Sequence, residues 1–172
     1  MKVIKIVLAL LLAVVIVVLA LGLIVPSYEY ESSIQVKASP EKCWRIFHNT
    51  RLMAQWLEGF ESLTLKSGDT LGIGSTYEIV INDHDKRMVM SEKITEMDAP
   101  TKIKYQLDND VLKSEFTFSF EGDSTTTAIT NHYKVTGNNV IWKSILFLSK
   151  SYMAGASQDQ LKLLKGVIEK QP

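Results

Sequence analysis

The sequence predicts an α+β fold in which a curved antiparallel sheet of about seven strands wraps around a long C-terminal helix, preceded by an apolar N-terminal helix. Three observations support this prediction. The chain begins with a long apolar run, continues with seven segments in which apolar and polar residues alternate, and ends with apolar residues at helical spacing. Short turn sequences separate the alternating segments, which favours antiparallel pairing.

The apolar run covers residues 6–25, which are twenty apolar or glycine residues without interruption. At about 1.5 Å per residue, a helix of this length reaches about 30 Å, the thickness of a bilayer core. Lys2 and Lys5 precede the run, and Glu29 and Glu31 follow it. The positive-inside rule then places the N-terminus in the cytoplasm and the domain on the extracytoplasmic side. A cleaved signal peptide is the alternative, although its apolar region usually has about 7–15 residues.

We therefore expect a single-pass membrane anchor in residues 1–25, with the membrane contacted by residues 4–25, and one folded domain in residues 26–172. Only Pro26 and Ser27 separate the apolar run from the first predicted strand. Two extended residues span about 7 Å, so the domain has to lie against the membrane surface.

The first strand is predicted over residues 28–37, where apolar and polar side chains alternate. Ser39 is a good N-cap and Pro40 suits the first helical position, which predicts a helix directly after that strand. A second short helix is predicted over residues 51–57. Six further alternating segments predict strands over residues 60–66, 76–82, 87–97, 102–108, 112–121 and 125–136.

One long helix is predicted from Asn139 to Lys170, because apolar residues recur there at steps of three or four. Gly155 lies in the middle of this helix, where glycine costs about 1 kcal/mol relative to alanine. Two explanations are open. Gly155 allows either close packing of the helix on the sheet or open space beside the helix.

Three segments carry a resemblance to a known family. They are ASPEKCWRIF at residues 38–47, QWLEGFESL at 55–63 and LGIGSTYEI at 71–79. With the layout of residues 118–170, they resemble the START-like superfamily, also called Bet v 1-like or helix-grip, and its polyketide cyclase/dehydrase and lipid-transport branch. Glu58 departs from the pattern, because relatives often carry proline there. The resemblance implies a cavity between the sheet and the long helix, which in some members is an enzyme site and in many only binds apolar molecules.

Strand alternation places two polar side chains inside such a cavity. Glu92 alternates with Met90 and Ile94. In a later strand, Asn131 lies between Ile129 and Tyr133 in the same alternation. A buried carboxylate is costly and its pKa rises, so Glu92 is the candidate acid, base or ligand-orienting group. If Val89 faced inward instead, Glu92 would be solvated. The predicted ligand-binding residues are Trp44, Trp56, Tyr77, Met90, Glu92, Tyr105, Phe118, Asn131, Trp142 and Gly155.

Several functions are disfavoured by composition. The formal net charge is zero, which argues against a nucleic-acid partner. His48, His84 and His132 are not expected to form a site, and Cys43 lacks metal-ligand spacing to a histidine, so we predict neither a metal nor a cofactor. A phosphate loop and a nucleophile elbow are both missing from the sequence.

We therefore expect a membrane-anchored domain that binds a lipid or another hydrophobic small molecule without catalysing a reaction. Two alternatives are open. The same cavity would serve a cyclase- or dehydratase-like enzyme that uses Glu92 with Asn131 or Tyr105. The domain would otherwise be a ligand-free interaction module of the cell envelope with a packed interior.

Overall fold

The computed structural model describes residues 2–83 and 86–172, so the turn predicted around His84 lies outside the described residues. The helices are α1 (Lys2–Ile24), α2 (Pro40–Phe47), α3 (Thr50–Met53), α4 (Val140–Leu148) and α5 (Lys150–Lys170). The strands are β1 (Tyr28–Val36), β2 (Phe60–Ser67), β3 (Thr76–Asp83), β4 (Lys86–Asp98), β5 (Lys102–Asp108), β6 (Leu112–Gly122) and β7 (Thr127–Gly137).

The described strands form one antiparallel sheet in the order β1-β7-β6-β5-β4-β3-β2. Five of the six neighbouring pairs in this order are consecutive in sequence, and all of them are antiparallel, as predicted. The first strand is the exception, because β1 pairs with the last strand and Tyr28 lies opposite Val135. The sheet and the long helix confirm the predicted α+β fold.

The start of α2 follows the predicted capping pattern. The Lys42 backbone amide donates to the Ser39 hydroxyl at 3.4 Å, and Pro40 occupies the first helical position. The prediction for the next helix was too long, since α3 ends at Met53 rather than at residue 57. The chain continues in turns after α3, and the Trp56 amide donates to the Met53 carbonyl. These turns carry Trp56 into the interior, where its side chain is buried.

The core lies between the sheet and the second half of α5. Leu161, Leu164 and Ile168 point from α5 into a buried cluster that includes Phe120 and Ile129 on the facing strands. The ends of β1 and β7 form a separate cluster, in which Tyr28, Val135 and Leu146 are buried together.

The prediction of a single helix from Asn139 to Lys170 is wrong, because the structure has two helices that meet at Ser149. The Ser149 amide and hydroxyl both donate to the Ile145 carbonyl, which ends α4. The physical reason is that the two apolar segments have different partners. Whereas α5 packs on the main core, α4 packs on α1 and on the cluster at the ends of β1 and β7.

The contact between α1 and α4 is close and antiparallel. The Ser144 hydroxyl donates to the Val18 carbonyl on α1. A Cβ atom added at Gly22 would lie 2.1 Å from the Val140 carbonyl oxygen, so only glycine fits at this position. Two small residues, Gly22 and Ser144, thus let the two backbones approach each other.

We predict that Gly22→Ile destabilises the packing of α4 on α1. The new side chain would overlap the Val140 carbonyl, and overpacking of this kind typically costs about 1–3 kcal/mol. Thermal unfolding of the full chain in detergent, followed by tryptophan fluorescence, should show a lower Tm. Ala13→Ile is the control, since Ala13 is exposed on the same helix. Equal Tm values for the two variants would contradict the described contact.

Candidate functional site

An inner cavity of about 250 Å³ lies between the sheet and the first half of α5. Its walls come from the concave face of the sheet, where successive strands each contribute inward side chains, and from the segment around Trp56. Most of the lining is apolar, as ligand cavities usually are. The residues that line it include Phe47, Trp56, Leu63, Ile79, Met90, Glu92, Tyr105, Leu107, Phe116, Phe118 and Tyr133.

An outer cavity of about 590 Å³ continues from the inner one towards solvent. The two cavities share lining residues, among them Trp56, Tyr133 and Met153. The helix side of the outer cavity includes Gly155, Ala156 and Ser157 of α5, together with Ser151, Tyr152, Asp159, Gln160 and Leu163. The volume of the outer cavity falls in the range of about 300–1,000 Å³ that is typical of small-molecule sites.

Gly155 decides between the two explanations that the sequence left open. Among the described residues, no atom lies within 4 Å of a Cβ built at Gly155. The glycine therefore borders open space and does not serve close packing. Gly155 is exposed, and the open space that it borders includes the outer cavity.

Glu92 points into the inner cavity from β4. Glu92 is 8% exposed, whereas Val89 on the opposite face of β4 is 46% exposed. The strand therefore has the predicted phase, with Glu92 facing inward. Burial raises the pKa of the Glu92 carboxyl from its ordinary value of 4.5 to about 7. A carboxyl group with this pKa exchanges its proton near neutral pH, which suits either acid–base chemistry or hydrogen bonding to a ligand.

Tyr105 and His48 form a polar pair beside Glu92. The Tyr105 hydroxyl lies 3.2 Å from His48 Nε2, and His48 Nδ1 lies 2.9 Å from the Trp44 carbonyl oxygen. A carbonyl only accepts, so Nδ1 carries the proton and Nε2 of the neutral ring accepts from Tyr105. Burial lowers the pKa of His48, which favours this neutral form. Burial raises the pKa of Tyr105, and the Glu92 charge raises it further, so the Tyr105 hydroxyl keeps its proton.

Three further polar atoms are buried around the cavities. Within the described ranges, Trp56 Nε1, Asn131 Oδ1 and Ser157 Oγ have no hydrogen-bond partner. Asn131 and Ser157 lie close enough to the Tyr133 hydroxyl to lower its pKa, although the net effect of burial is to raise it. Leaving a buried polar group unsatisfied costs about 1–3 kcal/mol. A bound molecule with a polar group could therefore recover hydrogen bonds at Trp56 and Ser157, which line the outer cavity.

The structure brings together six of the ten predicted ligand-binding residues. Trp56, Met90, Glu92, Tyr105 and Phe118 line the inner cavity, and Gly155 lines the outer one. The other four, which are Trp44, Tyr77, Asn131 and Trp142, line neither of these two cavities in the part of the chain that the structure describes.

Each of these four side chains has another position. Trp44 packs edge-on against Phe120, with the ring centroids 5.7 Å apart. The hydroxyl of Tyr77 accepts from the Leu71 amide at 2.9 Å. Asn131 is buried behind Tyr133, and Trp142 packs with the cluster at the ends of β1 and β7.

The sequence analysis missed four residues near the site, namely Tyr30, His48, Tyr133 and Ser157. His48 lines neither of these two cavities, and its Nε2 accepts from the Tyr105 hydroxyl, 57 positions away in sequence. The expectation that His48 forms no site stays a prediction. A usable signal was present, because His48 follows Trp44 by four positions and can turn Nδ1 back to that carbonyl. Tyr30 stacks on Tyr133 with ring centroids 4.7 Å apart, a contact made by the pairing of β1 with β7.

A seven-stranded antiparallel sheet around a long helix, with an apolar cavity between them, defines the Bet v 1-like class of α+β proteins. Residues 28–169 match the sequence profile of the polyketide cyclase/dehydrase and lipid transport family, and the chain belongs to this family. No curated protein matches the sequence.

Solved structures agree with this fold. The Zhui aromatase/cyclase from Streptomyces sp. R1128 has a TM-score of 0.69 at 11% identity, with 84% of this chain and 94% of that chain covered. For Ara h 8.0201 the TM-score is 0.64 at 15% identity, with 84% and 99% covered. The di-domain aromatase/cyclase BexL from the BE-7585A biosynthetic pathway gives 0.66 at 12% identity and 86% coverage, and the chain spans 52% of its length. At these identities the likeness concerns the fold alone.

We predict that Glu92→Gln stabilises the protein above neutral pH. The folded state holds the Glu92 proton more tightly than the unfolded chain, so stability falls as the pH rises from about 4.5 to about 7 and stays reduced above that. Since one pKa unit corresponds to about 1.4 kcal/mol, the loss over this pH range is about 3 kcal/mol. Glutamine does not titrate and should remove this loss.

Urea unfolding of the full chain in detergent at pH 4 and pH 8 would measure the difference. The variant should match the wild type at pH 4 and exceed it at pH 8. Glu121→Gln, at an exposed position of β6, should behave like the wild type at both values. A Glu92→Gln variant that is no more stable at pH 8 would show that the carboxyl is solvated.

Proposed function

We propose that this protein is a membrane-anchored domain that binds a lipid or another hydrophobic small molecule. The observation that carries the proposal is the pair of cavities that share lining residues and lie between α5 and an apolar sheet face. Membership of a family described by polyketide cyclisation, dehydration and lipid transport supports this type of ligand. Its solved relatives named above contribute only the fold.

The distribution of polar groups favours a ligand with an apolar body and few polar atoms. Glu92 and Tyr105 stand at the inner end, and Trp56 Nε1 and Ser157 Oγ stand nearer the opening. Between them the lining is aliphatic and aromatic. An apolar molecule would displace poorly bound water there, and each buried Å² contributes about 25 cal/mol to its affinity.

The proposed anchor is α1, which is long and apolar enough to cross a membrane. Its side chains are exposed over residues 2–17, so in water this surface would be unfavourable. Lys2 and Lys5 before the apolar run place the N-terminus in the cytoplasm under the positive-inside rule, with the domain of residues 26–172 on the other side.

We predict that Gly155→Phe weakens binding of an apolar probe. The phenyl ring would occupy the outer cavity, whereas the helix itself tolerates the change because open space surrounds the Cβ position. Titration of the full chain in detergent with the fluorophore 1-aminoanthracene should show a Kd raised by about tenfold or more.

Gly166→Phe is the matched control for that titration. Gly166 is also a glycine within α5, and among the described residues no atom lies within 4 Å of a Cβ built there. Its position lies outside the lining of the two cavities described above, so the affinity should stay at the wild-type value. If all three proteins bind the probe equally, or none binds it, the proposed cavity function is wrong.

A second candidate function is acid–base catalysis in the same cavity. The observation in its favour is the raised pKa of Glu92 beside the Tyr105–His48 pair. The third alternative, an interaction module with a packed interior, is not favoured by the two cavities.

Ligand analysis distinguishes catalysis from binding alone. If Glu92 transfers a proton to a substrate, the Glu92→Gln protein purified from cells should retain a compound that differs in mass from the one retained by the wild type. Mass spectrometry of extracts from both full-length proteins measures this. The same compound in both would support binding without chemistry.

A further inference from the structure

An exposed apolar surface runs along α4 and into the first turn of α5. It consists of Ile141, Ile145, Leu148 and Tyr152, and we call it the exposed stripe. These residues follow each other at steps of four, three and four, so they share one side of the helical path. All four are exposed, and Leu148 and Tyr152 are exposed by 61% and 76%. A contiguous patch of this kind marks an interaction surface.

The exposed stripe lies beside α1. Val140 and Ser144 contact Gly22 and Val18 on α1, and the next positions around α4 are those of the stripe. The apolar surface of the stripe therefore continues into the exposed apolar surface of α1. Lys143 lies about 200° around the helix from Ile141 and Ile145 and is half-buried, so it faces away from the stripe.

The length of α1 fixes the depth of this contact if α1 spans the membrane, as the proposed function has it. Within the apolar run, residues 6–17 are exposed before the contact with α4 begins. At about 1.5 Å per residue they cover about 18 Å, which is about 12 Å short of the hydrocarbon core. The shortfall corresponds to residues 18–25, which complete the run. Because Ser144 bonds to the Val18 carbonyl, α4 lies at the depth of this last part of the span.

We infer that α4 is a second membrane-embedded element, inserted beside α1 at the hydrocarbon boundary of the leaflet nearest the domain. The occupant of the exposed stripe is lipid acyl chain, because the stripe continues the lipid-facing surface of α1.

This placement also orients the cavity. Tyr152 belongs to the exposed stripe and lines the outer cavity as well, together with Ser151 and Met153. The outer cavity thus opens next to the side chains that contact lipid. An apolar molecule would reach it from the leaflet without crossing water.

Depth-dependent quenching tests the inference on the full chain in nanodiscs of phosphatidylcholine and phosphatidylglycerol. Single cysteines replace Leu11, Ile145 or Leu65 and carry the fluorophore NBD, while nitroxide groups sit on the lipid acyl chains. Cys43 is fully buried, and the wild-type protein reports any labelling of it. Leu65 on β2 is the matched control, because its 40% exposure equals that of Ile145 (41%) at another exposed apolar position.

We expect the NBD fluorescence of Ile145→Cys to be quenched as strongly as that of Leu11→Cys. The extent of quenching should be about threefold or more greater than at Leu65→Cys. Quenching at Leu11 without quenching at Ile145 would overturn the inference and leave the anchor intact. The absence of quenching at Leu11 would overturn the anchor and the inference together, whereas the probe-binding titration of the cavity variants would still stand. An unquenched Ile145 probe whose emission shifts with protein concentration would assign the stripe to a second copy of the chain instead.

Discussion

The packing of α5 on the sheet is the interaction on which the rest of the domain depends. Leu161, Leu164 and Ile168 bury the second half of the helix against the strands. The first half carries Gly155 and its small neighbours Ala154, Ala156 and Ser157, and the inner and outer cavities lie along this half. The second half of α5 thus completes the core, and the inner and outer cavities lie beside its first half. The fold is stable because this core is densely packed, and the cavities are available for function.

Polar groups around the cavities are held in defined states by burial. His48 is fixed as a neutral acceptor by the Trp44 carbonyl, and Tyr105 keeps its proton between His48 and Glu92. Such groups would be costly if they were placed at random in an apolar cavity. Glu92 and Tyr105 lie on the sheet side of the cavities, whereas Ser157 lies on α5. The rest of the lining is mostly apolar. A site of this kind selects molecules by shape and apolar surface, and one or two oriented hydrogen bonds add to this selection.

The strands and the inward position of Glu92 could be predicted from sequence, because alternation in a half-buried sheet follows directly from the pleat. The break at Ser149 could not be predicted, because Val140–Leu148 and the buried side of α5 are both apolar. Only their different packing partners distinguish the two helices. The surroundings of His48 and Ser157 could not be predicted for a related reason. His48 bonds to Tyr105 and Ser157 lies near the Tyr133 hydroxyl, both far away in sequence. Periodicity within one segment carries no information about such pairs.

The pairing of the first strand with the last sets the order in which this protein forms. Tyr28 pairs with Val135, so β1 is synthesised about 100 residues before its partner strand β7. At about 5–20 residues per second, translation alone keeps that edge open for about 5–20 s. During this time β1 is held next to α1 by three residues. The nascent domain is therefore exposed to aggregation until synthesis nears completion.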